Sequence, residues 1–202
     1  MKKIKIKDCP DYSVFLVKGT AILSKLIFLF QWFMSKDKVD SIRSHAAIKY
    51  SDIQGNTMLS EMLEDGCDPN KFMESDYYKK KTNILVGVLK PQYGIITLDK
   101  QNLFYKLIQF FEGYQNPKGK AKYDYEALFV AQPLKCIIEG ETGIDVWIEP
   151  NSGLNKNRFI CGQYVAFLYY IVMLLFKNWV EISPEEIAAS DYFDWYELDY
   201  SE

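Results

Sequence analysis

Phe159-Ile160-Cys161-Gly162-Gln163 runs directly into Tyr164 to Phe176, an unbroken row of thirteen apolar residues. That row is shorter than the roughly 18 residues needed to span a bilayer. It therefore reads as a buried helix, Cys161 to Lys177, with a cysteine in its first turn. Such a cysteine sits in the positive end of the helix dipole, beside backbone N–H groups that have no partner within the helix. Both favour a thiolate. The same N–H groups can hold an oxyanion as the thiolate attacks a carbonyl.

A thiol nucleophile needs a base, and the chain has one histidine. His45 lies in Arg43-Ser44-His45-Ala46-Ala47-Ile48, and residues 44–50 read as a strand. Asp52-Ile53-Gln54-Gly55-Asn56 carries turn chemistry, and Thr57 to Leu63 reads as the returning strand. A third polar group must fix the imidazole tautomer. Glu61 falls on the strand paired with that of His45, within a few positions of register. Glu64 is a weaker choice beside the charged loop. Gln163 is a third option, though its side chain need not face the hairpin. By default the cysteine is a small buried residue, the histidine is structural and the acids are solvated. Only their convergence would argue otherwise.

Composition narrows the field. The 202 residues suit one domain, with possible insertions near 65–82 and 135–155, and the 49% apolar content can supply a core. A net charge of −3 with only two arginines, Arg43 and Arg158, argues against nucleic-acid binding. The four cysteines, Cys9, Cys67, Cys136 and Cys161, form no CxxC pair, and one histidine cannot complete a usual zinc set. No metal or cofactor is expected. Met1 to Asp8 alternates charged and apolar residues and lacks the apolar run of a secretion signal. A reduced, cytoplasmic chain is expected, with delivery elsewhere (in a virion, for example) left open. Ala21 to Met34 is apolar but holds Lys25 and Gln31 and is too short to span, so no transmembrane segment is expected.

Elsewhere, residues 1–20 read as an entry strand and a turn at Gly19. Residues 21–37 form an apolar element, Asp65 to Lys81 a charged surface loop, and Asn83 to Leu89 a strand. Asp99 to Tyr114 reads as a helix capped by Asp99, with Leu103, Leu107, Phe110 and Phe111 as its apolar positions. Tyr123 to Val130 is a helix or a strand, and Lys135 to Pro150 is loop-like, an insertion or a hairpin through Ile137-Ile138 and Val146-Trp147-Ile148. Ser183-Pro184-Glu185-Glu186 is a strong helix start. The acidic tail from Asp191 carries five aromatic residues, expected to pack back onto the body. Cys9, Cys67 and Cys136 lack the context of Cys161.

The order His, acid, late Cys resembles the circularly permuted NlpC/P60 group of the papain-like fold, in particular the YiiX/YebB-like amidases. The residues concerned are Ser44-His45-Ala46-Ala47-Ile48, Leu59-Ser60-Glu61-Met62 and Phe159 to Val165. Gly119 to Tyr125 is similar to the group's Tyr-Asp element, and Ile182 to Ser190 to its Pro-containing closing helix. Two departures stand out. Gly162-Gln163 replaces a serine followed by an acid, and Val17-Lys18-Gly19-Thr20 has threonine in place of an acid. The resemblance implies an α+β papain-like domain: an antiparallel sheet or small barrel with the nucleophile helix packed on it. It implies Cys161 as nucleophile, His45 as general base and Glu61 as orienting acid. The implied reaction is hydrolysis of an amide, peptide or ester bond, or acyl transfer, through an acyl-thioester. The implied substrate is a small molecule, a peptide or a lipid amide. Two other readings compete with it: a catalytically silent lipid- or peptide-binding member of the same fold, and a partner protein that uses the acidic aromatic tail.

Overall fold

The computed structural model describes residues 1–17, 45–63, 66–113, 122–123 and 158–201. The readings of Gly19-Thr20, residues 21–37, Glu64, most of Tyr123–Val130, Cys136 and the 135–155 region lie outside those residues.

Seven strands form one mixed sheet: β1 (Lys3–Lys5), β2 (Val14–Val17), β3 (His45–Ser51), β4 (Thr57–Leu63), β5 (Gly66–Lys71), β6 (Ile84–Leu89) and β9 (Phe193–Asp199), in the order β1-β9-β6-β2-β3-β4-β5. All neighbours are antiparallel except β1 and β9, which run parallel. A purely antiparallel sheet is thus corrected to a mixed one. A second, two-stranded parallel sheet joins β7 (Lys122–Tyr123) to β8 (Arg158–Phe159). The helices are α1 (Asp76–Lys79), α2 (Leu98–Phe111), α3 (Cys161–Met173) and α4 (Pro184–Ala189). The class is α+β.

The hairpin at the heart of the sheet follows its sequence signals. Asp52 Oδ1 accepts the backbone N–H groups of Gln54 and Asn56, and Gly55 takes a φ of 79°, which a side chain would disfavour. That turn sets the register Ala47 opposite Glu61 and Ile48 opposite Ser60. Because strand side chains alternate, Ser60 and Glu61 face opposite sides of the sheet.

Those two sides carry separate cores. On one, α3 covers β3 and β4 and is buried nearly all round from Cys161 to Tyr169, the pattern of a helix enclosed by its own domain. On the other, Phe15, Val17, Ala47, Leu59, Phe72, Ile84 and Val86 pack together. α3 ends at Met173, four residues before the expected Lys177, because Leu174 turns into the left-handed conformation at φ 58°.

Two readings are corrected. Residues 66–71, read as part of a surface loop, form the edge strand β5, with Gly66 and Cys67 buried. Asp68-Pro69-Asn70 looks like a loop, but an edge strand tolerates polar side chains and a proline. α2 is preceded by Thr97 at its cap position rather than Asp99. It buries Phe104, Ile108 and Phe111, while Leu103 and Phe110 are exposed. The stripe is turned because Phe104 stacks on Tyr12 and Phe111 meets Tyr164 and Phe167. The aromatic residues of the acidic tail pack onto the body as expected, because the tail is strand β9, inserted between β1 and β6. Phe193 and Trp195 join the helix-covered core, and Tyr196 and Leu198 join the opposite one. Gly87, opposite Trp195, gives the indole room: a Cβ there would lie 2.7 Å from the ring.

Among the described residues, no helix is long and apolar enough to cross a membrane.

Candidate active site

Three elements meet at the first residue of β3. His45 opens that strand opposite Val17 of β2, on the sheet face it shares with Ala47. Glu61, opposite Ala47, leaves β4 on the same face. His45 Nε2 lies 2.7 Å from Glu61 Oε2. With Nε2 taken, Nδ1 is the ring nitrogen left for a third group. That group is the Cys161 thiol, at the first position of α3, which hydrogen-bonds the ring. The backbone N–H groups of Ala46 and Gly162 also donate to the sulfur. The convergence expected of Cys161, His45 and Glu61 is present in the fold.

All three groups are removed from water, with Glu61 only 1% exposed, Cys161 3% and His45 7%. Burial alone would suppress every charge here. For His45, burial pushes the pKa down, but the hydrogen bonds and charges of Cys161 and Glu61 outweigh it and lift the value to about 10. For Cys161, burial raises the pKa, yet the His45 hydrogen bond and charge, helped by the two backbone N–H groups, bring it below the ordinary thiol value. Glu61 is likewise held low against burial by His45, Asn70 and Tyr77. The arrangement favours a thiolate–imidazolium pair backed by a carboxylate.

Two residues that the sequence did not single out complete the cluster. Asn70 on β5 donates from Nδ2 to Glu61 Oε1 at 2.6 Å, and the Tyr77 hydroxyl on α1 donates to Oε2 at 3.0 Å. The Tyr77 ring lies over the His45 ring, with centroids 6.3 Å apart and planes 29° apart. Both residues fall in the segment that looks like a charged loop. The available signal was weak: a glycine and a small buried residue opening a short run directly after a strand.

Gln163 and Gly162 have local structural roles. Gln163 Oε1 accepts the Ile160 N–H at 3.1 Å, capping the start of α3, and its Nε2 donates to the Val180 carbonyl. It therefore faces the 179–181 turn and is not a partner of the imidazole. A Cβ on Gly162 would lie 2.5 Å from the Ile182 carbonyl oxygen and 2.9 Å from the Ser183 carbonyl carbon. That segment leads into α4, whose cap Ser183 exchanges hydrogen bonds with Glu186. Glycine at this position lets the segment leading into α4 approach the first turn of α3.

The other described cysteines behave differently. Burial pushes Cys9 and Cys67 up to about 12 each, leaving them neutral thiols. Among the described residues, no group of three or more His, Cys, Asp or Glu side chains could hold a metal ion.

No protein-family model matches the chain, and no curated protein matches it.

Proposed function

We propose that the protein is a cysteine hydrolase of the permuted papain-like type, acting on an amide, peptide or ester bond through an acyl-thioester. The observation that carries this reading is the hydrogen-bonded order Cys161–His45–Glu61, with Cys161 held below and His45 above their ordinary pKa values. The thiolate of Cys161 attacks the acyl carbon, and N–H groups at the start of α3 stabilise the resulting oxyanion. The carbon–leaving-group bond breaks as His45 Nδ1 gives its proton to the departing atom, leaving a thioester on Cys161. Water then attacks the thioester and His45 takes its proton. The acid departs and the thiolate–imidazolium pair is restored. Glu61 keeps the Nε2 proton in place throughout, so Nδ1 is always the nitrogen that works. An amine or alcohol in place of water would make the same site an acyltransferase.

The permuted papain-like arrangement is supported by an α+β sheet, a hairpin bearing His45 and then Glu61, and a late helix that starts at Cys161 and covers that hairpin. The test is labelling by a thiol-reactive acyl probe. Wild-type protein should label at Cys161. Cys161→Ala and His45→Ala should each lose that labelling while keeping the wild-type circular dichroism spectrum. Persistent labelling of folded Cys161→Ala, or label on Cys67, contradicts the proposal.

A further inference from the structure

We infer that Tyr77 is a positioning residue of this site, setting how firmly His45 holds its proton by sharing the Glu61 oxygen that the imidazole uses. The inference rests on the reading of Cys161, His45 and Glu61 as the reacting unit. Glu61 receives three donors on two oxygens: Asn70 on Oε1, and both His45 and Tyr77 on Oε2. The sharing on Oε2 is the informative part. A carboxylate oxygen already engaged by a phenol carries less negative charge for a second donor. The Tyr77 hydroxyl thus moderates the pull of Glu61 on the imidazolium, which must remain acidic enough to release a proton from Nδ1 to the leaving group. The Tyr77 ring, laid over the imidazole, limits the planes that the imidazole can take.

The placement of Tyr77 is itself secured. α1 is capped by Ser75, which accepts the Tyr78 N–H. Tyr200, just beyond β9, donates its hydroxyl to the Thr82 carbonyl at 2.6 Å, and its ring meets that of Tyr78. The segment that bears Tyr77 is therefore tied both to itself and to the end of the central sheet. The titratable groups facing His45 from the elements around it are Cys161 on α3, Glu61 on β4 and Tyr77 on α1, with Asp68 of β5 opposite Glu61.

A phenylalanine at 77 keeps the ring and removes only the shared hydrogen bond. The experiment uses the full chain and its one histidine, so ring 15N resonances report His45 with no assignment ambiguity. In Tyr77→Phe the His45 titration should move upward by about half a pH unit, because the imidazolium gains a less encumbered carboxylate. Hydrolysis of a 4-nitroanilide probe, whose amine must be protonated as it departs, should slow several-fold, since a weaker acid protonates that leaving group less readily. Alkylation of Cys161 by iodoacetamide at neutral pH should stay within about two-fold of wild type, because it needs the thiolate and no acid. Tyr77→Leu should add ring disorder, seen as broadening of the His45 resonances. Rates and a titration unchanged in Tyr77→Phe would overturn the inference. So would alkylation and hydrolysis falling together, which marks general damage. A wild-type ring titrating near its ordinary value would instead overturn the reading on which the inference rests.

Discussion

Cys161 and Cys67 are both buried, yet their chemistry diverges. Each lies against the β3–β4 hairpin. Cys67 shares its surroundings with Ser60 and Tyr164, whose hydroxyls bond each other at 2.7 Å, and burial pushes its thiol up to about 12. Cys161 reaches His45 and is held below the ordinary thiol value. Ser60 and Glu61 are consecutive residues, so one step along β4 separates a neutral hydroxyl network from a charged one. Burial by itself makes a thiol inert. Burial with an imidazolium and two backbone N–H donors makes a thiolate.

The difference between the two cysteines depends most on His45. His45→Gln should turn Cys161 into a second Cys67, with its thiol pKa above the ordinary value, and cut ester turnover by about 10²–10⁴-fold. Turnover surviving within ten-fold of wild type would show that the imidazole is not the base. Glu61→Gln comes next. It removes the charge that supports the imidazolium and offers an amide where Nε2–H, Asn70 and Tyr77 all donate. Turnover should fall by about ten-fold or more, with a stability loss of about 1–3 kcal/mol in urea unfolding. Gly162→Ala should cost about 1–3 kcal/mol, because its Cβ would strike backbone at Ile182 and Ser183. Ser60→Ala sharpens the contrast from the other side. It removes the hydroxyl bond to Tyr164 and should destabilise the fold by about 1 kcal/mol, while Cys161 labelling stays at the wild-type level.

The pH dependence follows from the same pair. In the proposed reaction, turnover needs thiolate and imidazolium together. It should rise with pH through the depressed Cys161 value and fall as His45 loses its proton near about 10. A profile still rising beyond pH 10 would show that His45 is not held as an imidazolium.

Much of this site can be read from local chemistry. The turn at Asp52–Asn56 and the apolar run after Cys161 are short-range signals, and they fix the strand bearing His45, the strand bearing Glu61 and the helix start. The supports of Glu61 are hidden because they depend on the sheet's edge. Asp68-Pro69-Asn70 reads as loop until β4 offers it a ladder, and Tyr77 gains meaning only when α1 folds over His45. Strand β9 is hidden for a related reason. Its acids at Asp194, Glu197 and Asp199 mask a period-two pattern in which Phe193 and Trp195 serve one core and Tyr196 and Leu198 the other. Glycine at 162 has no evident reason in the sequence until the segment 182–184 is seen against it.

The proposed chemistry stands or falls with Cys161 being a thiolate beside a protonated His45. The most direct measurement is the rate of iodoacetamide alkylation against pH, resolved for each cysteine by mass spectrometry. Cys161 should react with an inflection well below the ordinary thiol value of about 8.5, while Cys67 stays inert across the neutral range. An inflection for Cys161 at or above about 8.5 would contradict the account and leave the cysteine a buried, ordinary thiol.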